Sequence, residues 1–459
     1  MKFIGQVFLF LANLLIIFAK SPQEWKSRIV YQLLTDRFSQ SNSSSPCQDL
    51  SSYCGGTFQG IINHLDYIQN LGINAIWISP IILQTNNGYH GYWAQDIYQI
   101  NPHFGTSQDL KDLVNACHSK DIWVMLDVVA NHMGNQGNIN DFSYFVPFNK
   151  AEYYHKYCII NNWANQTEVE ICRLAGLPDL DQSNSFVSQT LLKWIMEVVS
   201  NYSFDGIRID TVPEVPFDFW VKYAKSAGVY SVGECLNGNV GYVEHYQNAL
   251  SGMLNYPMFF TLRDVFQNKQ SMDQLRARIS EESTFPDITL LGNFIDNHDN
   301  PRFLHQNGDY TLLINALTFT IFQEGIPIIY YGTEQGFAGG KDPNNRESLF
   351  GNFNQNHILY RVISTINKFK LSQGSDVYNS QQIQRYSDDQ FYAYTRGMIF
   401  VGVSNLGSNG HSVHTITYHP YSNNTQLKNA LNETDQVKVN NGKFQVNIWN
   451  GQPKLYFPN

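Results

Sequence analysis

Four short motifs with acidic side chains occur in a fixed order along this chain, and each follows or contains an apolar run. The motifs are Asp127-Val128-Val129-Ala130-Asn131-His132, Gly206-Ile207-Arg208-Ile209-Asp210, Gly233-Glu234 and Phe294-Ile295-Asp296-Asn297-His298-Asp299. Because the apolar runs predict buried strands, each polar cluster is expected at the end of a strand. Parallel strands that present acids, His and Arg at their carboxyl ends are typical of the functional face of a (β/α)8 TIM barrel.

Strand-like and helix-like segments alternate over most of the chain. The clearest strand-like runs are Ile29–Leu34, Ala75–Ser79, Trp123–Val129, Gly206–Asp210, Tyr230–Gly233, Leu290–Ile295 and Ile326–Tyr331, and Met253–Phe260 is the candidate for the eighth. Helical patterns lie between them, for example at Gln108–Ser119, Ser188–Ser200 and Met272–Ile279. This alternation predicts an α/β fold with a parallel sheet inside a layer of helices.

The alternation is interrupted once and ends before the C-terminus. A long segment rich in Tyr and Asn separates the strand of Asp127 from the helix near Ser188, which predicts a small inserted domain or lid after strand 3. Beyond the helix-like segment His357–Phe369, short alternating runs predict a C-terminal antiparallel β-sandwich. The predicted division is 21–131 and 187–372 for the barrel, 132–186 for the inserted domain and 373–459 for the sandwich.

Composition and the N-terminus limit the partners and the compartment. Apolar residues make up 43% and charged residues 15%, which indicates a packed core, and a net charge of −9 without a basic run argues against nucleic acid. Lys2, the apolar stretch Phe3–Phe18 and Ala19 predict a signal peptide over 1–20, with an uncleaved anchor as the alternative. No later run is long enough to span a bilayer, so we expect no stable membrane association after cleavage. The expected location is secreted, either extracellular or in a digestive or lysosomal-type compartment.

The cysteines and glycosylation sequons fit this location. Two local disulfides are expected, since Cys47 and Cys54 flank one short loop and Cys158 and Cys172 flank another, whereas Cys117 and Cys235 are expected to be free and buried. The alternative is that all six cysteines are unpaired. Asn-x-Ser/Thr triplets begin at Asn42, Asn165, Asn201, Asn423 and Asn432.

The acidic motifs contain the groups that hydrolysis of a glycosidic bond requires, namely one carboxyl that protonates the leaving oxygen and another that attacks. Arg208 and Asp210 are two residues apart in a predicted strand, so their side chains lie on the same side, and the guanidinium favours the ionised carboxylate. Glu234 follows a mostly apolar run, and burial favours the protonated form that a proton donor needs. The alternative for Arg208 and Asp210 alone is a structural ion pair.

These motifs, in this order, resemble those of family 13 of the glycoside hydrolases, and in particular its secreted fungal-type α-amylases. The resemblance extends through Leu177-Pro178-Asp179-Leu180-Asp181, Cys54-Gly55-Gly56-Thr57-Phe58-Gln59-Gly60, Tyr89-His90-Gly91-Tyr92-Trp93, Asn300-Pro301-Arg302-Phe303, Gly325-Ile326-Pro327-Ile328-Ile329-Tyr330 and Asp342-Pro343-Asn344-Asn345-Arg346-Glu347. It implies endo-hydrolysis of α-1,4-glucosidic bonds in starch- or glycogen-type polysaccharides, with retention of anomeric configuration. In this scheme Asp210 is the nucleophile, Glu234 the general acid and base, and Asp299 the acid that stabilises the transition state.

The resemblance also implies binding residues and a calcium ion. Sugar-binding positions are Tyr92, Trp93, His132, Arg208, Gly238, His298, Asp342 and Arg346. The Ca²⁺ ligands are Asn131, Glu170, Asp179 and the main-chain carbonyl of Glu214. Oxygen ligands of this mixed type suit a hard cation, which would attach the inserted segment to the barrel. The alternative is that these side chains only bond local loop backbone or lie on a solvated surface.

One pair of residues departs from the fungal-type pattern. Those enzymes usually have Lys-His after the Asp-Thr-Val that contains the nucleophile, and this chain has Pro213-Glu214. Because the family's side chains at these two positions line acceptor subsites, the departure predicts weaker acceptor binding, poorer cleavage of short oligosaccharides and little transglycosylation. The alternatives are an α-glucosidase or a transglycosylase of the same family and, from another class, a non-catalytic α-glucan-binding protein. We expect the mature chain to be a monomer.

Overall fold

The computed structural model describes residues 20–42, 45–135 and 137–459. Apart from Lys20, the predicted signal peptide therefore lies outside the described residues. The strands in chain order are β1 (Val30–Leu33), β2 (Ala75–Ile78), β3 (Ile82–Gln84), β4 (Ala94–Ile100), β5 (Trp123–Val128), β6 (Gly206–Ile209), β7 (Tyr230–Gly233), β8 (Gly252–Met253), β9 (Gly292–Asn293), β10 (Ile326–Tyr330), β11 (Gln382–Ser387), β12 (Phe391–Arg396), β13 (Ile399–Ser404), β14 (Ser412–Ile416), β15 (Gln426–Asn429), β16 (Asn432–Lys438), β17 (Phe444–Ile448) and β18 (Lys454–Pro458).

The helices alternate with the first ten strands and then become sparse. They are α1 (Thr35–Phe38), α2 (Phe58–Ile62), α3 (Leu65–Asn70), α4 (Ser107–His118), α5 (Gln166–Ile171), α6 (Ser185–Tyr202), α7 (Phe217–Ala227), α8 (Val240–Gln247), α9 (Tyr256–Leu262), α10 (Asp273–Glu282), α11 (Phe303–Gln306), α12 (Tyr310–Phe322), α13 (Ile358–Ser372) and α14 (Ser375–Tyr378). Several begin at a side-chain cap, as where the Thr106 hydroxyl accepts a hydrogen bond from the Asp109 amide at the start of α4.

Eight parallel strands form the predicted barrel. Their order in the sheet is β8-β7-β6-β5-β2-β1-β10-β9, so neighbours in the chain are neighbours in space. A parallel bridge between Leu254 and Gly292 joins the two ends of this sheet, and the Asn255 amide donates to the Gly292 carbonyl at 2.8 Å. The TIM-barrel prediction is confirmed, and the strands place their carboxyl ends on one face.

The segment between β5 and α6 forms one side wall above that face. It contains α5 and short 3₁₀ turns at Ala151–Tyr153 and Leu174–Gly176, and the disulfide Cys158–Cys172 ties the end of α5 to the chain before it. The antiparallel hairpin of β3 and β4, from the loop after β2, contacts the same segment through bridge pairing of Asp96 with Val146. This side wall is therefore formed by two loops, the segment between β5 and α6 and the hairpin after β2, whereas the sequence predicted only the first.

The C-terminal strands form the predicted antiparallel sandwich. A six-stranded sheet, ordered β11-β12-β13-β18-β15-β16, lies against the pair β14-β17. Phe391, Phe400, Phe444 and Tyr456 are buried between the two layers. Helix α12 joins this unit to the barrel and is buried on all sides from Thr311 onward.

Two segments differ from the prediction. The run Met253–Phe260 is a strand only at its first residue, because the Asn255 side chain accepts from the Met258 amide and starts helix α9 there. The run Leu290–Ile295 pairs only at Gly292 and Asn293, and a 3₁₀ turn precedes it.

The cysteine assignments are confirmed. Cys47–Cys54 and Cys158–Cys172 are disulfides, and Cys117 and Cys235 are unpaired and buried. Within the described ranges, no helix has the length and apolar character needed to cross a bilayer.

Candidate active site

A cluster of three carboxylates around one guanidinium forms the floor of a cleft at the carboxyl ends of the barrel strands. We call it the floor cluster: Asp127, Arg208, Asp210 and Glu234. Arg208 Nη1 lies 2.9 Å from Asp127 Oδ1 and 2.8 Å from Asp210 Oδ1, and its Nη2 lies 2.8 Å from Glu234 Oε2. The parallel register places Asp127 opposite Arg208, and the Glu234 amide donates to the Ile209 carbonyl. The strand pairing itself therefore brings these motifs together.

Burial governs the protonation of this cluster. Burial raises the pKa of Asp127 to about 6, although Arg208 acts in the opposite direction. Burial, together with the charges of Glu234 and Asp127, also raises the pKa of Asp210 well above its ordinary value. Arg208 opposes this shift, as the sequence predicted, but does not outweigh burial. Because one positive charge faces three acids, the cluster retains a proton in a pH range where exposed carboxyls have lost theirs.

Asp127, for which no role was predicted from the sequence, contacts residues on both sides of the cluster. Its Oδ2 accepts hydrogen bonds from Trp77 Nε1 at 3.0 Å and from the Tyr92 hydroxyl at 2.7 Å. Asp127 thus connects the guanidinium of Arg208 to the aromatic wall of the cleft. Its place in the first acidic motif was the signal that could have identified it.

The predicted aromatic and imidazole residues form the wall on the Tyr92 side. The rings of Tyr92 and His298 stack at 5.2 Å, with an angle of 11° between their planes. Gln32 Nε2 donates to His298 Nδ1 at 2.7 Å, so the neutral imidazole carries its proton on Nε2, which faces Asp299 Oδ2 at 3.5 Å. Burial lowers the pKa of His298 well below its ordinary value, so this ring is neutral. Trp93 also lines the cleft.

Asp299 and the two outer predicted residues form a connected group. Arg346 Nη2 lies 3.5 Å from Asp299 Oδ1, and its Nη1 lies 3.1 Å from Asp342 Oδ1. Arg346 is buried, whereas the Asp299 side chain is 28% exposed and so is open to the cleft. Gly238 lies in the loop after β7, beyond Asn237, which lines the cleft.

His132 and Asn131 connect the cleft to a second group of oxygen atoms. His132 Nε2 donates to the Tyr92 carbonyl at 3.1 Å, and burial lowers the pKa of His132 to about 4, so the ring has one proton. Its Nδ1 must then accept, and Asn131 Nδ2 lies 3.1 Å away as the donor. This orientation directs Asn131 Oδ1 toward two further oxygens, Asp179 Oδ1 and the Glu214 carbonyl, each at 3.0 Å.

We call this group the oxygen cluster: Asn131 Oδ1, Asp179 Oδ1 and the Glu214 carbonyl. No proton lies between its members in this orientation, and the opposite amide orientation requires a proton on His132 Nδ1 that the neutral ring lacks. The donor set of amide, carboxylate and carbonyl fits a hard cation such as Ca²⁺. Across the described ranges, no group of three His, Cys, Asp or Glu side chains forms a metal site, since only one such side chain contributes here.

Glu170 reaches the oxygen cluster indirectly. Gln166 Nε2 donates both to Glu170 Oε1 at 2.9 Å and to the Pro213 carbonyl at 2.8 Å, next to Glu214. His155 Nδ1 lies 2.6 Å from Asp179 Oδ2 and fixes that carboxylate. The four predicted calcium residues therefore lie in one region where the inserted segment meets the turn after β6.

The cleft above the floor cluster has a volume of about 670 Å³. Its lining includes residues that sequence reasoning missed, namely Trp163, Val169, Leu174, Ala175, Leu177, Leu236 and Tyr242. Trp163 and Leu236 are 59% and 55% exposed, so they present apolar surface to a ligand. They come from the inserted segment and the loop after β7, where the sequence has no regular periodicity. Pro213 and Glu214 line the same side.

Known proteins are similar to this chain over nearly its whole length. A family model described as "Alpha amylase, catalytic domain" matches residues 32–391. Alpha-amylase 2 of Schwanniomyces occidentalis is 41% identical over 463 residues, which cover 95% of this chain and 90% of that protein. The alpha-amylase of Saccharomycopsis fibuligera is 39% identical, with 95% and 92% covered. The solved structure of an alpha-amylase from Malbranchea cinnamomea has a TM-score of 0.93 and 38% identity, covering 96% of this chain and 98% of that chain.

Proposed function

We propose residue roles and a mechanism from the premise that this chain belongs to the alpha-amylase family of glycoside hydrolases. As a member of that family it hydrolyses the α-1,4-glucosidic bonds of starch-type α-glucans, with retention of anomeric configuration. The observation that carries the mechanism is the floor cluster, in which three buried carboxylates share the Arg208 guanidinium beneath the cleft. We assign a separate role to each acid that faces the cleft.

In the first step, Asp210 attacks the anomeric carbon while Glu234 transfers a proton to the departing glycosidic oxygen. The bond between carbon and that oxygen breaks, and a covalent glycosyl–Asp210 ester forms. Arg208 supports the nucleophile, since its Nη1 contacts Asp210 Oδ1 at 2.8 Å and balances the charge of the ionised form.

In the second step, Glu234 removes a proton from water, and the water oxygen attacks the anomeric carbon and releases Asp210. Asp299 faces the cleft from the adjacent loop and binds sugar hydroxyls as the ring distorts. The neutral rings of His298 and His132, together with Tyr92 and Trp93, bound the donor sugar, and Asp342 and Arg346 bind sugars further out.

We propose that the oxygen cluster, with Glu170, holds a calcium ion. The support is the set of oxygen atoms at 3.0 Å with no proton between them. When bound, the ion supplies positive charge that joins the inserted segment to the turn after β6. It stabilises the cleft wall and takes no part in the bond changes.

We further propose a secreted monomer with a cleaved signal peptide. Two disulfides support an oxidising compartment. The proposed domain limits stay at 21–131 and 187–372 for the barrel, 132–186 for the insert and 373–459 for the sandwich. The end of α13 at Ser372 supports the last boundary.

The test compares Glu234→Gln and Asp210→Asn with Glu282→Gln, a matched control in which the acid is equally buried, at 8% exposure, but outside the cleft. On soluble starch, we expect Glu234→Gln to lower kcat by about 10²–10⁴ or more while oligosaccharide binding persists. Asp210→Asn should lose turnover at least as strongly, and Glu282→Gln should retain it. NMR of the first product should show the α-anomer.

Near-wild-type turnover of Glu234→Gln would remove this residue from the mechanism. Product sizing separates the rival activities, because an α-glucosidase releases mainly glucose and a transglycosylase builds longer chains. A non-catalytic binding protein would show no turnover at all.

A further inference from the structure

Tyr256 lies beside the proton donor proposed above, although nothing in the acidic motifs points to it. It begins helix α9, where the Asn255 cap and Pro257 fix the first turn. Its side chain is fully buried, and its ring packs edge-on against Phe294 at 5.0 Å and Phe259 at 5.7 Å. The ring therefore has one position, and the hydroxyl lies 3.3 Å from Glu234 Oε1.

Asn297 fixes the direction of the hydrogen bonds at that hydroxyl. Asn297 Oδ1 accepts from the backbone amides of Asp299 at 3.2 Å and Asn300 at 3.0 Å. Because an oxygen must face those two amides, the Nδ2 group faces Tyr256 and donates to its hydroxyl oxygen at 2.8 Å. The single phenolic proton of Tyr256 is then left for Glu234.

Tyr256 stays a donor over the working pH range. Burial raises the pKa of Tyr256 well above its ordinary value, and the charges of Glu234 and Asp299 act the same way. The phenol therefore keeps its proton to a higher pH than an exposed tyrosine does.

We propose that Tyr256 and Asn297 form a positioning relay that orients the Glu234 carboxyl and couples it to the loop carrying Asp299. Oε2 of Glu234 already faces donors, since Arg208 Nη2 lies at 2.8 Å and the Thr211 amide at 3.2 Å. With Tyr256 on Oε1, all three fixed neighbours donate. A proton on Glu234 has no acceptor among them and is directed to the substrate oxygen.

This inference rests on the proposed role of Glu234 as general acid. The ionisable groups that face Glu234 from the packed elements are Arg208, Asp210, Glu214, Cys235, Tyr256 and His298. Among these groups, Tyr256 offers the cleanest test, because Tyr256→Phe removes only the hydroxyl and keeps the packed ring.

The test is Tyr256→Phe, with Tyr223→Phe as the matched control. Tyr223 is also fully buried, and its hydroxyl has no hydrogen-bond partner among the residues that the structure describes. A hydrogen bond to a carboxylate stabilises the ionised form, so its loss makes Glu234 hold its proton to higher pH. For Tyr256→Phe we expect kcat on soluble starch to fall about tenfold while KM stays within about twofold. In the pH profile of kcat, we expect the basic limb to move up by about half a pH unit or more. Tyr223→Phe should change none of these.

A second variant, Asn297→Asp, keeps Tyr256 but reverses the direction of the hydrogen bond between the side chain at position 297 and the Tyr256 hydroxyl. The new carboxylate retains an oxygen for the two backbone amides but presents an acceptor to Tyr256, which then donates to that carboxylate instead of to Glu234. We expect the same upward shift of the basic limb, and adding Tyr256→Phe to this variant should give no further shift. If the new charge acted only electrostatically, adding Tyr256→Phe to Asn297→Asp would still shift the basic limb as far as it does in the wild-type background. That result would contradict the relay.

Two outcomes overturn the relay. One is a Tyr256→Phe enzyme whose melting temperature and kcat fall with an unchanged basic limb, which shows a packing role. The other is a double variant in which the basic limb shifts by the full sum of the shifts in the two single variants. If Glu234→Gln instead keeps near-wild-type turnover, the proposed mechanism fails, so the two failures are distinguishable.

Discussion

The ends of β5 and β6 build two clusters of buried oxygens that balance their negative charge in different ways. Asn131 follows Asp127 by four positions, as Glu214 follows Asp210, so the same two strands supply both clusters. The floor cluster contains the Arg208 guanidinium, with three contacts of 2.8–2.9 Å to carboxylates. In the described part of the chain, the oxygen cluster has the imidazole of His155 on the far oxygen of Asp179, and the charge of Arg173 also acts on Asp179.

Under the proposed calcium assignment, this difference separates a site that is complete within the chain from one that an outside ion completes. A buried charge without compensation costs several kcal/mol, so a cation stabilises each cluster in its ionised form. Arg208 is covalently present and fixed in the floor cluster, which suits chemistry that depends on constant geometry. The proposed calcium ion would add to hydrogen bonds that already join the inserted segment to the barrel, such as that from the Leu180 amide to the Asn131 carbonyl at 2.8 Å. Part of the stability of the cleft wall would then depend on the medium.

The largest expected effect comes from removing the built-in cation. Arg208→Met leaves three buried carboxylates without compensation, so we expect a loss of about 3–5 kcal/mol in the free energy of unfolding and a fall of at least about 10² in kcat. Arg208→Lys keeps the charge but lacks the planar fork, so stability should partly return while kcat stays low. Thermal melts and initial rates on starch provide the measurements, and added calcium should restore neither. A wild-type melting curve for Arg208→Met would show that Arg208 does not compensate the charge of the floor cluster.

Removal of the outside cation should cost less and be reversible. At about a hundredfold excess over Kd, a ligand that binds only the folded state adds about 2.7 kcal/mol of stability. We therefore expect a chelator to lower the melting temperature and calcium to restore it. Asn131→Ala should have a low melting temperature in either condition. An unchanged melt in excess chelator, with no metal by elemental analysis, would exclude the site.

Glu282, a buried acid outside both clusters on which the Arg278 charge also acts, provides a comparison for both. Burial raises the pKa of Glu282 to about 8. The folded-state pKa lies above the unfolded one, so stability from the protonated form is full below about 4.5 and is lost as pH rises through about 8. Glu282→Gln removes this loss. We expect its melting temperature to match wild type near pH 4.5 and to exceed it by several degrees at pH 8, and a constant difference across pH would contradict this.

The smallest expected effect concerns substrate length at the cleft rim. Pro213 and Glu214 line the cleft, and Glu214 Oε2 has no hydrogen-bond partner in the described part of the chain. Replacing them by Lys and His adds donors toward acceptor sugars. We expect kcat/KM on maltotriose to rise a few-fold more than on long starch chains. An equal change in kcat/KM for both substrates would show that these side chains do not set acceptor binding. The melting temperature in saturating calcium serves as the control for altered metal binding.

Much of the floor cluster could be read from the sequence because it depends on strand order and alternation. Arg208 in β6 and Asp210 just after it lie two residues apart and make the contact that alternation predicts, and Glu234 follows the neighbouring strand. Tyr256 and Trp163 could not be assigned in this way. Tyr256 lies in a run read as a strand, which the Asn255 cap turns into a helix, and Trp163 lies in an irregular segment.

The barrel, the sandwich, both disulfides and the ordered acidic motifs could be predicted from the chain, because periodicity and spacing are local properties. Tertiary structure alone decided which donors face each oxygen of Glu234 and why Asn131 directs its carbonyl toward Asp179 and the Glu214 backbone. Those arrangements depend on hydrogen-bond directions set by residues far apart in the chain. No local pattern records them, since each donor is oriented by the groups that the fold packs around it.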